Sequence, residues 1–276
     1  MTALNPPVIQ TSCDHCETSA GESLVQQFVL GYQTEGALQV FDGVKTFQLK
    51  TGTYWLAIKN KLARFKYVSD QEEIYKAVSV TFPDQELLRF SHEYEISSKK
   101  RSKNTAPVIR LKEHPLLKSL FEGLTSYASL SFSNEDPLMK LKLKEALIVL
   151  LKCQPELKDL LFDFSEPHKT DLVAFMEENF QFNLPLSKFA YLTGRSLSGF
   201  KRDFEKVYGV TPAKWLSQKR LDKAHYLLKE RKMKVSEVYA EVGFEDASHF
   251  SFAFKKQFGV NPSMVGSKPR TADSRC

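Results

Sequence analysis

The spacing of apolar positions changes along this chain, and each change predicts a different kind of element. From Leu24 to about Val80 the apolar residues fall in short runs rich in β-branched and aromatic side chains: LVQQFVLGY, ALQVF, VKTFQL, TYWLAI, ARFKYV and YKAVSV. Runs of this length between turn residues predict strands. Phe41-Asp42-Gly43-Val44 is the strongest of the turns, because Asp-Gly suits a type I′ hairpin with positive φ at both positions. Lys50-Thr51-Gly52 and Lys59-Asn60-Lys61 supply the next breaks. Strands at this spacing predict a small barrel or sandwich over about residues 24–96. The polar stretch 1–22 predicts a poorly ordered arm, and the basic run SSKKRSKNTA at 97–106 a connector.

From about residue 114 the period becomes helical. Leu116, Leu117, Leu120, Phe121 and Leu124 trace one stripe, closed at Gly123 and the Ser/Tyr stretch after it. Pro137 opens a helix reaching Leu151 whose surface is unusually apolar, with Leu138, Leu141, Leu143, Leu147, Val149, Leu150 and Leu151. Such a helix is either sandwiched within its domain or paired with a second copy of the chain, and both remain open. Pro155 to Phe164 predicts a last short helix, so the helices of this half run over about 114–162. Asp163 to Pro167 reads as a linker, dividing the chain into domains at 1–164 and 165–276. From Lys169 the pattern is helical almost to the end. A scaffold helix is expected at Asp171 to Phe180. A longer one at Pro212 to Arg231 has Trp215, Leu216, Leu221, Ala224, Leu227 and Leu228 on its buried side.

An internal repeat organises this second half. In RSLSGFKRDFEKVYGVTP, Ser198, Phe200, Phe204, Lys206, Gly209, Val210 and Pro212 are answered fifty residues later by Ser248, Phe250, Phe254, Lys256, Gly259, Val260 and Pro262. Phe200, Phe204 and Val207 fall on one helical stripe, while Ser198, Lys201 and Arg202 fall on another at i, i+3, i+4. A short helix ending in glycine precedes each copy, Leu186 to Gly194 and Val235 to Gly243. Helix, short Gly-containing turn, helix is the helix-turn-helix signature, present twice.

Charge follows the repeat. Residues 166–276 hold 19 Lys and Arg against 13 Asp and Glu, while residues 1–165 hold 20 of each, so the whole excess of +6 lies with the doubled motif. A polyanionic partner is expected there. No apolar run long enough to cross a bilayer and no leader at Met1 appear, which predicts a cytoplasmic chain without a membrane. The four cysteines, at 13, 16, 153 and 276, read as reduced thiols. Cys13 and Cys16 resemble half a metal site, but no second CxxC or HxxxH follows, so no metal and no cofactor are expected. The histidines at 15, 92, 114, 168, 225 and 249 are scattered, and no nucleophile elbow or phosphate loop is present, so no catalytic residue is assigned. Lys59, Lys61, Arg64 and Lys66 crowd one turn and strand; they could clamp an anionic effector or simply guard a strand edge.

With these residues in hand, the C-terminal hundred resemble the DNA-binding domain of the AraC/XylS family of bacterial transcription regulators. The stretches that carry the likeness are LSGFKRDFEKVYGVTPAKWL, RLDKAHYLLKE and VSEVYAEVGFEDASHFSFAFKKQFGVNPS. The resemblance implies an α+β chain: a cupin-like small β-barrel with following helices, then an all-α domain of two helix-turn-helix subdomains joined by a long helix. It implies double-stranded DNA as partner, read in two successive major grooves about 34 Å apart. A linking helix of about twenty residues rises roughly 30 Å and so holds the two apart. The base-facing places fall on Ser198, Lys201 and Arg202 in the first recognition helix. In the second they fall on Ala247, Ser248, His249, Ser251 and Phe252. Arg and Lys can reach a guanine edge or rest on phosphate. Where the first copy has Lys201 and Arg202 the second has Ser251 and Phe252, which departs from the family pattern and predicts a less discriminating second reader.

The resemblance also implies an activator that touches RNA polymerase. The N-terminal domain is expected to sense a small-molecule or protein effector, or to form a homodimer through the 137–151 helix. A DNA-binding protein without sequence choice and a cupin-like enzyme with a helical appendage are the competing readings.

Overall fold

The computed structural model describes residues 9–15, 21–68, 74–100, 106–128 and 136–265. The arm before residue 9, the connector over 101–105 and the tail from 266 lie outside the described residues, as does Cys16. The chain divides into two compact units, residues 1–165 and 166–276.

The first unit carries two antiparallel sheets. One has the order β1 (Ile9–His15), β8 (Ile74–Phe82), β3 (Phe28–Glu35), β6 (Tyr54–Ala57) and β9 (Val108–Arg110). The other has β2 (Gly21–Val25), β7 (Lys61–Val68), β4 (Ala37–Phe41) and β5 (Thr46–Lys50). Sheet structure therefore begins well before residue 24. Residues 9–15, expected in a loose arm, pair with β8 from Ile9 opposite Val80 to His15 opposite Ile74, which puts Cys13 opposite Lys76. A further strand, β9, follows just after the connector and pairs with β6.

Asp42-Gly43 makes a different turn from the one expected. Gly43 alone of the pair has positive φ, at 98°. The Asp42 carboxylate accepts from the amides of Val44 at 3.0 Å and Lys45 at 2.8 Å, which opens the hairpin into a longer loop.

Between the sheets the interior is filled by Val25, Leu38, Val40, Leu49, Trp55, Ala57, Ala63, Tyr75 and Ala77. Trp55 lies flat on the neighbouring strand: a Cβ at Gly31 would stand 2.1 Å from its indole. A second core joins the outer face of the larger sheet to the helices. These are α1 (Asp84–Glu93), which ends the strand region earlier than residue 96, α2 (Pro115–Ala128), α3 (Pro137–Cys153) and α4 (Lys158–Leu161), the last entered through a 3-10 turn at Pro155–Leu157. Helix α2 runs through Gly123 instead of closing there. Helix α3 is sandwiched within the domain, with Met139, Leu143, Ala146, Leu147 and Leu150 buried, while Leu141 remains 61% exposed.

The second unit is helical: α5 (Leu172–Asn179), α6 (Leu186–Leu192), α7 (Leu197–Tyr208), α8 (Pro212–Lys229), α9 (Val235–Glu241) and α10 (Ala247–Phe258). Its two cores share no residue. Leu172, Met176, Phe189, Phe200, Phe204, Trp215 and Leu216 make one; Leu221, Ala224, Leu228, Val238, Val242, Phe250 and Phe254 make the other. Helix α8 gives its N-terminal half to the first and its C-terminal half to the second.

Candidate nucleic-acid interface

Helix α7, the first of the repeated pair, is fixed at both ends. Ser196 has extended backbone, φ −67° and ψ 157°, and its hydroxyl accepts from the Gly199 amide at 3.2 Å. That satisfies one of the amides a helix start leaves unpaired. Gly209, at φ 67°, ends the helix in the left-handed conformation. Phe200 and Phe204 are fully buried, so the rotation of the helix about its axis is set. The opposite side then presents Ser198, Lys201 and Arg202, all exposed. The Arg202 side chain is 81% exposed, with Nη2 3.6 Å from the Asp203 carboxylate, beyond hydrogen-bond length. The i, i+3, i+4 trio read from the sequence is thus one surface carrying a hydroxyl and two cations.

Behind that surface the turn is tied from within. The Arg195 side chain is only 9% exposed; its Nε donates to Asp203 Oδ2 at 3.2 Å, and its Nη1 to the carbonyls of Thr193 at 2.7 Å and Thr170 at 3.1 Å. Lys169 reaches the same Asp203 oxygen at 3.2 Å. Hydrogen bonds from Lys169 and then Arg195 hold the Asp203 carboxyl below the ordinary carboxylate range. Gly194, φ 65°, has no room for a side chain: a Cβ would stand 2.3 Å from the carbonyl carbon of His168.

The second helix is held in the same way and dressed differently. The Asp246 carboxylate accepts from the His249 amide at 2.6 Å, and Gly259 ends the helix at φ 76°. Phe250 and Phe254 are fully buried. Ala247, Ser248 and His249 are exposed, and Phe252 is 71% exposed. Ser251 is half-buried and donates its hydroxyl to the Ala247 carbonyl at 2.8 Å, so its proton serves its own helix. The His249 ring lies 5.7 Å from that of Phe244.

The four cations proposed for an anionic effector are not brought together. Lys59 pairs with Asp84 at 2.7 Å. Lys61 is half-buried, and burial pushes its ammonium below the ordinary lysine range. Side chains alternate along a strand, so Lys61 and the pair Arg64 and Lys66 belong to opposite faces of β7. Arg64 lies over the Phe41 ring at 5.4 Å. Among the described residues no group of three or more His, Cys, Asp or Glu is placed to share a metal ion, and no helix is long and apolar enough to cross a membrane.

Sequence reasoning assigned no role to Arg195, Asp203 or Arg220. The signal for Arg220 was present: it falls four residues after Leu216 and four before Ala224, on the buried side of α8, where a cation needs partners.

Residues 189–267 match the Helix-turn-helix domain family, and residues 29–161 match the family of the ExsA N-terminal regulatory domain. The HTH-type transcriptional regulator ExsA of Pseudomonas aeruginosa is 30% identical over 83% of this chain and 82% of its own length. The virulence regulon transcriptional activator VirF of Yersinia enterocolitica is 29% identical over 86% and 90%. A crystal structure of an apo ToxT variant from Vibrio cholerae aligns with 94% of this chain and 97% of that one at 14% identity, with a TM-score of 0.46. The likeness to ExsA runs through both halves of the sequence, and the chain belongs to the AraC/XylS family of DNA-binding transcription regulators.

Proposed function

We propose that this protein is a sequence-specific transcription activator of bacterial cytoplasm that catalyses no reaction. In this reading α7 and α10 enter two successive major grooves. Lys201 and Arg202 read base edges from α7, with Ser198 on phosphate or base. Ala247, Ser248, His249 and Phe252 give α10 an apolar and weakly polar contact surface, and Ser251 stiffens it. The observation that carries the reading is the exposed trio Ser198, Lys201 and Arg202, set on a helix whose rotation is fixed by two fully buried phenylalanines. Two cations held side by side on a rigid support suit bidentate recognition of guanine. The word activator is supported by VirF, whose name carries it; RNA polymerase is the partner that an activator bound beside a promoter would touch.

The cluster of Trp55, Tyr75 and the leucines between the sheets favours an N-terminal domain that answers to a protein, or to no effector, over one that encloses a metabolite. Homodimerisation through α3 is supported only by the exposed Leu141, since the other leucines and Ile148 of the helix pack against the domain's own core.

Selection of duplexes from a genomic-fragment pool at fixed salt, with full-length protein and with Lys201→Ala/Arg202→Ala, tests the proposal. Recovery of one motif spanning two major-groove turns, lost in the double variant, is expected. Equal binding to every fragment, weakened uniformly in the variant, would replace sequence reading with an architectural role.

A further inference from the structure

The two helix-turn-helix modules have separate cores, yet one side chain holds both. Arg220 is half-buried midway along α8. Its Nε donates to the Phe180 carbonyl at 2.8 Å and its Nη2 to the Phe182 carbonyl at 2.8 Å; both lie in the segment leading from α5 into α6 of the first module. Its Nη1 donates to the carbonyl of Gly243 at 3.0 Å, in the turn of the second module. The guanidinium is planar and presents its donors in fixed directions, so three carbonyls engaged at once fix their mutual placement. A second strut runs alongside, from Asn183 Nδ2 to Glu245 Oε1 at 2.6 Å. The two backbones also meet directly: a Cβ at Gly243, φ 88°, would stand 2.4 Å from the Gln181 carbonyl oxygen. Only glycine lets the turn close onto the first module there.

We propose that Arg220 is a positioning residue that sets the spacing and phase of α7 and α10, so that the protein accepts two half-sites at a single separation. This deepens the reading that both helices enter DNA and rests on it. Each added base pair moves one half-site by about 3.4 Å and turns it by roughly 35° about the duplex axis. A clamped pair of modules cannot follow that displacement, and a pair joined by α8 alone can.

Arg220→Met keeps the length of the side chain and removes the fork. Full-length wild type and variant are titrated on the selected duplex and on duplexes with one or two base pairs inserted or removed between half-sites. Wild type is expected to lose at least about tenfold in affinity for each displaced form, the scale of a lost base contact. Arg220→Met is expected to hold the displaced forms within about threefold of the original spacing. Uniform loss at every spacing, or unchanged selectivity in a folded variant, overturns the proposal.

A readout without DNA separates this from the functional reading itself. Spin labels at Lys206→Cys and Lys256→Cys, exposed and equivalent in the repeat, are placed in protein whose natural cysteines are replaced by serine. The inter-label distance distribution is expected to be narrow in wild type and to broaden in Arg220→Met; equal widths refute the clamp. If no duplex is selected at all, DNA reading fails while the distance distribution still decides the clamp. Should Arg220→Met not fold, Arg220→Lys carries the same tests, since it keeps the charge but lacks the planar fork that engages three carbonyls at once, and an unchanged distribution and spacing preference there count against the proposal.

Discussion

In α7 the residues Phe200 and Phe204 are fully buried, and in α10 the residues Phe250 and Phe254 are too. Both helices begin at a side-chain cap, Ser196 and Asp246, and both end at a left-handed glycine. Outside, the two diverge. Lys201 and Arg202 of the first are replaced at the same repeat positions by Ser251 and Phe252. Asp203, tied to Lys169 and Arg195, is replaced by Ala253. The second turn, residues 242–246, is also one residue longer than the first, 193–196, and Phe244 packs edge-on against Phe250 at 5.2 Å. The interior is constrained because each helix must seat on one half of α8; the face turned to a ligand is constrained only by that ligand. Divergence there leaves the two modules with different outer faces on a common frame.

The common frame is the part that costs most to break. Phe204→Ala and Phe254→Ala each remove a fully buried ring and should destabilise by about 3–5 kcal/mol. Urea unfolding of the two variants should give losses that agree within about 1 kcal/mol if the interiors are equivalent. A large loss in one and a small loss in the other would break the likeness.

The divergent faces come next. Lys201→Ala and Arg202→Ala should each weaken binding to the selected duplex by about 1–3 kcal/mol, roughly 5- to 150-fold, with loss of discrimination at one base pair. Ser251→Ala should change it by less than about 0.5 kcal/mol, because the hydroxyl already bonds its own helix. Equal losses from Arg202→Ala and Ser251→Ala would mean that the two modules read DNA alike after all.

The frame was legible because two aromatic positions four apart, repeated at a fixed offset, survive any local ambiguity. Features that depend on distant partners were not. Strand β1, IQTSCDH, has no alternating apolar pattern; its pairing comes from β8, about 65 residues away in sequence. Helix α2 passes through Gly123 because Phe121 and Leu124, both buried, outweigh a glycine penalty of about 1 kcal/mol. At Asp42 the carboxylate found two backbone amides, and that local bond decided the turn against the Asp-Gly preference. That Ser198, Lys201 and Arg202 share one face of α7 followed from helical spacing, whereas Arg195 and Arg220 act through carbonyls that only the folded chain brings within reach.

Phe252 offers a smaller and more pointed test. A phenyl ring cannot hydrogen-bond a base edge, but it can cover the C5-methyl of thymine. Replacing thymine by deoxyuridine in the second half-site removes only that methyl, and should cost wild type about 0.8 kcal/mol, close to fourfold in affinity. Phe252→Ala should bind the two duplexes equally. Insensitivity of wild type to the replacement would remove Phe252 from the readers and leave α10 holding the backbone.

The smallest expected effect concerns Asp203, which the first module has and the second lacks. Its folded pKa is lowered by hydrogen bonds from Lys169 and Arg195, whereas an unfolded aspartate titrates near pH 4. The unfolded chain therefore takes up the proton at higher pH than the folded one does. Stability linked to this group is present in full above the unfolded value and is lost as pH falls through the lowered folded value. Asp203→Asn keeps the shape and removes the titration. The melting temperature of wild type should exceed that of Asp203→Asn at neutral pH, and the gap should close on acidification below about pH 4. Arg195 loses the carboxylate's charge in the variant but keeps its bonds to the carbonyls of Thr193 and Thr170, so α7 should stay seated and DNA binding at neutral pH should change little. A matching Ala253→Asp in the second module should show no such pH-dependent gap, because the residue at the repeat position of Arg195 is Glu245, whose side chain has no donor to offer a carboxylate. A gap of the same size in both modules would mean that the charge of the helix, and not the Lys169–Arg195–Asp203 contact, lowers the pKa.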